Sequence, residues 1–248
     1  MLVLLPPSET KRDGGVDGSA LDLTALAYPQ FTATRRASIA ALARLSRSVS
    51  ESTRALALGP TQRFEIDRNR AVRSSPTMAA MDRFTGVLYE ALDAPGLDTE
   101  ARAWLAASVV IQSALLGPIG AGDAVPAYRL SHDSRLPGLA VKKHWAPVVA
   151  PVFAELPGPI LDLRSEGYAA LGPLPVRDDV RFVRVVTRGE DGARRALNHF
   201  NKKGKGELVR ALALAGIQHA SIDDLLAWAA SVGIRLEPGA AGELDLVV

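Results

Sequence analysis

Met1-Leu2-Val3-Leu4-Leu5-Pro6-Pro7-Ser8-Glu9-Thr10-Lys11 is the stretch on which the fold turns. Leu2 to Leu5 is too short and too abruptly broken by prolines to be a helix, so it reads as a buried strand. Ser8, Glu9, Thr10 and Lys11 then stand where the strand gives way to a loop. In open α/β sheets, loops at the carboxyl ends of strands line the ligand crevice, and these polar side chains are placed to do the same. The following Arg12-Asp13-Gly14-Gly15-Val16-Asp17-Gly18-Ser19 is a flexible loop by composition, expected to close over a ligand.

Outward from this strand the chain alternates helices with strands. Ala-rich apolar spacing predicts helices over Arg35 to Val49 and Glu51 to Leu58, stopped by Gly59-Pro60. A helix from Pro76-Thr77 to Phe84 and one over Val87 to Leu92 would flank a Thr85-Gly86 turn. Asp98 to Ala107 reads as a helix with an Asp98 or Thr99 cap, and Ser108 to Ser113 as a β-branched strand. Leu116 to Leu130 is a Gly/Pro-rich loop ending in Tyr128-Arg129. Val141 to Glu155 is helical around Trp145, its regular part limited by Pro147 and Pro151. Pro159 to Leu163 is a short strand followed by the polar set Arg164-Ser165-Glu166-Gly167-Tyr168. Val180 to Thr187 and Arg194 to Phe200 form a hairpin across Gly189-Glu190-Asp191-Gly192. Gly206 to Ala215 and Ser221 to Ala230 are helices, and Glu243 to Val248 is a terminal strand. The expected fold is α/β in the mixed α+β sense: one compact domain over residues 1–248 with a mixed sheet surrounded by helices.

The composition is that of a soluble globular protein, with 248 residues, 48% hydrophobic and 23% charged. No apolar stretch is long enough to span a bilayer, and the short apolar start has no basic flank, so neither a membrane partner nor a signal peptide is expected and the location read from sequence is cytoplasmic. The chain has no cysteine, which excludes disulfides and thiolate chemistry. His132, His144, His199 and His219 show no metal-ligand spacing, so neither metal nor cofactor is expected. Net charge is +2, but Arg35–Arg73 and Arg181–Arg210 each hold nine basic and three acidic residues, a net of +6, leaving −10 for the rest. For the first segment, arginines at near-helical spacing equally describe solvated helix faces.

The second segment contains Phe200-Asn201-Lys202-Lys203-Gly204-Lys205-Gly206, lysines threaded through glycines at the mouth of a helix. Glycines let backbone amides approach a phosphate, and a helix start adds partial positive charge. Lys202, Lys203, Lys205, Arg194 and Arg195, with Ser8, are the candidate anion and nucleic-acid contacts; a solvated turn is the plain structural alternative. With aromatic residues at 5%, base stacking is a small part of any such interface. Gly204-Lys205-Gly206 lacks the leading glycine and the trailing Ser/Thr of a P-loop. Gly117 to Gly122 is broken by Pro118 and is no dinucleotide fingerprint.

Several segments together resemble the YaaA family of peroxide-stress proteins, which opens with an apolar strand followed by Ser-Pro-small-(Lys or Glu)-Thr, as Met1 to Lys11 nearly does. Phe84-Thr85-Gly86-Val87-Leu88-Tyr89, the Ser113 to Gly117 turn leading to Pro126-Ala127-Tyr128-Arg129-Leu130, Trp145, Ser165-Glu166-Gly167-Tyr168 and Phe200 to Gly206 follow in the family's order. The resemblance spans nearly the whole chain. It implies a mixed α/β fold with a helix-hairpin-helix element, placed here around Thr85-Gly86, and a basic cleft, with double-stranded or distorted DNA as partner and peroxide protection as role. One departure is Ser113-Ala114-Leu115-Leu116-Gly117, where the family has Ser-Gly-Leu-Tyr-Gly; any role of that tyrosine hydroxyl is absent here.

Two functions follow. The first is a cytoplasmic DNA-binding protein of oxidative-stress defence that grips backbone phosphates. The second is an enzyme acting on a nucleotide or nucleic acid, or on a small phosphorylated ligand. Its candidate catalytic set is Glu9, Lys11, Tyr128, Arg129 and Glu166, with Glu9 or Glu166 as acid or base and Lys11, Arg129 and Lys202 as anion holders. The structural alternative for that set is a polar network satisfying loop backbone groups. Direct peroxidase chemistry lacks both a cysteine and an evident haem or metal ligand set.

Overall fold

A computed structural model describes residues 1–188, 194–196 and 200–248, with backbone alone at 188, 194–196 and 200. Its elements run β1 (Leu2–Leu5), α1 (Thr32–Leu45), α2 (Val49–Ala55), α3 (Phe64–Arg70), β2 (Met78–Ala79), α4 (Ala80–Arg83), α5 (Val87–Leu92), α6 (Thr99–Ser108), β3 (Val109–Ser113), β4 (Gly117–Gly120), β5 (Ala124–Val125), α7 (Val141–Ala154), β6 (Ile160–Asp162), α8 (Glu166–Ala169), β7 (Val180–Arg188), β8 (Arg194–Ala196), α9 (Phe200–Ala215), α10 (Ile222–Ser231), β9 (Leu236–Pro238) and β10 (Glu243–Val247). The main sheet has the order β4-β3-β1-β6-β7-β10-β9, with β8 also pairing β7. Neighbours from β3 to β10 are parallel, while β4, β8 and β9 pair antiparallel. The mixed α/β expectation holds. Among the described residues no helix is long and apolar enough to cross a membrane.

The first strand is central, as its uninterrupted apolar run requires, with β3 on one flank and β6 on the other. From β1 the chain builds outward through β3 to β4, then returns to lay β6 on the opposite flank and builds outward again. That reversal opens a crevice at the carboxyl ends of β1 and β6.

Val186 pairs with Val247 of β10 and with Ala196 of β8, so β8 must lie on the side of β7 that β6 occupies. Because β6 leaves β7 after the Asp162–Phe182 pair, β8 continues its place in the sheet beyond its carboxyl end. The hairpin expected from sequence is present in this pairing; its turn and residues 197–199, including His199, lie outside the described residues.

Several local expectations are corrected. Pro76 to Phe84 forms the strand β2 and the short α4 rather than one helix, because Met78 and Ala79 pair with Val125 and Ala124. The expected loop after Leu116 contains β4 and β5. Pro147 and Pro151 stand inside a continuous α7, on its exposed side, where carbonyls deprived of helical donors face water.

The Arg12–Ser19 loop is not a free flap. Arg83 is fully buried and donates to the carbonyls of Arg12, Gly14 (3.0 Å), Pro76 (2.9 Å) and Val125 (3.0 Å). Backbone bonds from Arg12 to Arg83 and from Val16 to Thr77 complete the attachment. Tertiary bonding overrides a flexible composition.

Arg35, also fully buried, donates from Nε to Leu116 O (2.9 Å) and from Nη2 to Ala27 O (2.6 Å) and Pro118 O (2.7 Å). Burial lowers its pKa to about 10, partly offset by Asp123. It is therefore internal rather than part of a solvated basic face.

Candidate functional site

Two prolines end β1 by removing the N–H groups that would continue the ladder. The chain then turns on itself. Lys11 Nζ donates to the carbonyls of Ser8 (2.8 Å) and Glu9 (3.1 Å), and Ser8 Oγ donates to Thr10 O. The turn docks on the α4–α5 connection: Thr85 N–H donates to Ser8 Oγ (3.0 Å), and the hydroxyls of Thr10 and Thr85 are 2.8 Å apart. Tyr89 of α5 donates its hydroxyl to Pro6 O (2.8 Å), holding α5 against the end of β1.

Lys11 is buried, its ammonium 4.3 Å from the ring centre of Tyr128 and 5.2 Å from that of Phe84. Burial is the largest influence on its pKa and lowers it to about 7, with Glu65 and Glu9 opposing and Arg129 and Arg68 reinforcing. Its contacts make it an internal pin of the strand-end turn. Tyr128 is buried beside it, its hydroxyl 2.6 Å from Ser113 Oγ. Ser113 Oγ already accepts from Leu115 N (3.1 Å) and Leu116 N (2.9 Å), so its own proton goes to the phenol oxygen. Desolvation raises the Tyr128 pKa, against the Ser113 hydrogen bond. At Leu116, where the resembling family has tyrosine, the side chain is buried core.

Arg129 is held by its backbone, which exchanges hydrogen bonds with the Asn69 amide (2.8 and 2.9 Å), and its Nη2 lies 2.5 Å from Glu9 Oε2. The Glu9 side chain remains 60% exposed, so this pair positions the carboxylate more than it stabilises the fold.

Beside these groups is a crevice of about 370 Å³ between the β1 and β6 ends. Ser8, Glu9 and Thr10 line it from one strand end, Ser165 and Tyr168 from the other, with Thr85 and Gly86, His132, and Lys202 of α9. Its polar surface is mostly hydroxyl and imidazole, with the carboxyl group of Glu9 and the amino group of Lys202 beside them. Tyr168 is buried and its pKa is raised to about 12, chiefly by desolvation. The His132 ring stands edge-on to it with centroids 4.9 Å apart. A Cβ on Gly167 would come within 2.5 Å of that imidazole, so the glycine makes room for it.

The predicted site residues thus separate. Ser8, Glu9 and Lys202 reach the crevice, while Lys11, Tyr128 and Arg129 form the layer supporting its β1 wall. Glu166 opens α8 outside the crevice lining, its side chain 77% exposed and 3.3 Å from Arg184. Arg194 and Arg195 lie in β8, and their side chains fall outside the described residues. Lys203 is exposed and pairs with Glu207 (3.4 Å), whereas Lys205 is buried.

The glycines between the lysines have a different purpose from the one expected. The helix α9 begins at Phe200, so Gly204 and Gly206 are inside it. A Cβ at Gly204 would lie 3.0 Å from Val248, and one at Gly206 only 2.2 Å from Leu88 O; both permit close packing rather than amide contact with an anion.

Sequence reasoning did not select His132 or the buried pair Asp162 and Arg164. Arg164 makes a bidentate contact with Asp162 (2.8 Å twice) and donates to Gly172 O (2.9 Å) at the end of β6. The available signals were Asp162 inside an otherwise apolar strand and Gly167 beside an aromatic residue.

Residues 1–235 match the family described as Peroxide stress protein YaaA. The chain is 40% identical to a UPF0246 protein of Corynebacterium glutamicum and 38% identical to one of Corynebacterium efficiens, each alignment covering 100% of both chains. A UPF0246 protein of Streptomyces coelicolor is 36% identical over 96% of this chain and 92% of its own.

Proposed function

Because the chain belongs to the peroxide stress protein YaaA family, we propose that it is a cytoplasmic protein that protects against peroxide by holding DNA through backbone phosphates, without itself destroying peroxide. One observation carries the DNA reading: the exposed Lys202 and Lys203 stand in the first turn of α9, with Lys202 on the crevice rim. The backbone of β8, which carries Arg194 and Arg195 in sequence, runs beyond the end of neighbouring β6, and in this reading that strand belongs with the rim to a basic cleft. Helices α4 and α5, with the Phe84–Gly86 connection between them, serve as its helix-hairpin-helix element. Phosphate contacts of this kind give affinity without sequence preference.

The test is fluorescence anisotropy of duplex and bubble DNA across a salt series, comparing wild type with Lys202→Glu/Lys203→Glu. Each lost phosphate contact flattens the log-log salt slope by about one unit, so the double variant should lose about two. No binding by wild type at low salt, or an unchanged slope in the variant, overturns the reading.

A second reading, an enzyme acting on a nucleotide or nucleic acid, draws support from Glu9, whose carboxylate is fixed by Arg129 at the crevice wall. In it Glu9 is the acid or base and Lys202 holds the anion, since Lys11 and Arg129 are engaged behind the crevice wall and Glu166 lies outside its lining. Glu9→Gln and Glu166→Gln should separate the two carboxylates: Glu9→Gln retains ligand and loses turnover, and Glu166→Gln keeps both. Full turnover in Glu9→Gln rejects this assignment.

A further inference from the structure

The carboxyl end of β6 holds a surplus of buried positive charge. Arg164 and Asp162 satisfy each other by two hydrogen bonds of 2.8 Å. Lys205 is 5% exposed. Its Nζ makes a long 3.4 Å contact with Arg164 O and lies 5.3 Å from the ring centre of Phe182. Among the described residues no carboxylate forms an ion pair with it, leaving Asp162 between two cations. An ammonium has three donors and tolerates burial poorly without an anion. Desolvation accordingly lowers the Lys205 pKa to about 8, with Asp162 raising it and Arg184 lowering it.

This surplus adjoins the crevice. Arg164, whose carbonyl Lys205 meets, precedes the lining residue Ser165, and Lys205 follows the lining residue Lys202 by three positions on α9. Residues three apart share a helix side, and both lysines are near a helix start with its positive potential. A rim cation and a buried cation match two negative charges, which a terminal phosphate carries and an internal diester does not. The crevice volume of about 370 Å³ falls within the range of small-ligand pockets. In the same lining, Tyr168 and His132 offer ring surface, and Ser8, Thr10 and Ser165 offer hydroxyls.

We propose that the crevice binds a nucleotide-sized phosphomonoester, its dianionic phosphate between Lys202 and Lys205 and its organic body against Tyr168 and His132. The Lys205 stem is long and flexible enough to turn its ammonium from Phe182 toward the ligand. The assignment goes beyond duplex binding, which needs neither the buried cation nor a terminal phosphate.

The experiment is calorimetric titration of the full chain with adenosine 5′-monophosphate and with adenosine, alongside 5′-phosphorylated and 5′-hydroxyl oligothymidylate. The phosphate-bearing member of at least one pair should bind about ten- to a hundredfold more tightly than its counterpart. Lys205→Met should erase that advantage; the exposed Lys202→Gln should reduce it and serves as the test if Lys205→Met fails to fold. For the phosphorylated ligand, affinity should fall below about pH 6, where the phosphate loses its second charge, and above about pH 8, where Lys205 loses its proton. Selective binding of the free nucleotide identifies a small molecule; selective binding of the phosphorylated oligonucleotide identifies a strand end. No phosphate preference in either pair, or a preference untouched by a folded lysine variant, overturns the proposal. Duplex binding measured in parallel separates its failure from that of the DNA reading.

Discussion

Gly206 of α9 meets the carbonyl oxygen of Leu88 in α5 so closely that an added Cβ would stand 2.2 Å from the oxygen and 2.8 Å from the Cβ of Ala91. The obstacle is backbone, which cannot rotate away. In an unpacked helix Gly→Ala gains about 1 kcal/mol, whereas overpacking costs about 1–3 kcal/mol. The second effect wins here: Gly206→Ala should lower stability by about 1–2 kcal/mol in urea unfolding.

Gly167 provides a contrast. Its added Cβ would meet the His132 ring, the far end of a side chain. Gly167→Ala should therefore cost less than about 1 kcal/mol while displacing the imidazole from Tyr168. The check is a shift of the His132 ring resonances with a nearly unchanged unfolding midpoint.

Removing the Arg83 guanidinium would leave the carbonyls of Arg12, Gly14, Pro76 and Val125 without its hydrogen bonds. Arg83→Met should destabilise by about 3 kcal/mol or more, against about 0.5 kcal/mol or less for the exposed Arg36→Met. Trypsin should then cut at Arg12 faster than in wild type.

Lys11 makes stability pH-dependent in a defined direction. Its folded pKa of about 7 lies below the ordinary 10.5, so between these values the unfolded chain binds the additional proton. Stability therefore rises with pH across that window and loses this contribution below it. Lys11→Met should flatten the rise between pH 7 and about pH 9, a range in which exposed tyrosines of the unfolded chain are mostly un-ionised. A rise of undiminished size in the variant would assign it to another group.

Legibility from sequence followed locality. The β1 strand was readable because two prolines bound four apolar residues, and α6 because Asp98 caps it, accepting from Ala101 N (2.8 Å). The crevice was foreshadowed by Ser8, Glu9, Thr10 and Ser165 at strand ends, since carboxyl-end placement follows from strand direction. What failed depended on distant partners. A glycine that admits a neighbouring helix has the same letter as one that cradles an anion, so Gly204 and Gly206 were assigned to the wrong purpose. The burial of Arg35, Arg83, Arg164 and Lys205 is set by carbonyls and carboxylates remote or only partly near in sequence. The Arg12–Ser19 loop had a flexible composition but no local sign of Arg83.

The placement of Arg35 bears on how molecules of this protein meet one another. As an outer strand of the main sheet, β4 would ordinarily offer outward carbonyls and N–H groups to a passing chain. Instead Leu116 O and Pro118 O are both taken by the Arg35 guanidinium, and Pro118 has no N–H to give. A side chain thus stands in for the next strand, making this border a poor template for edge-to-edge aggregation.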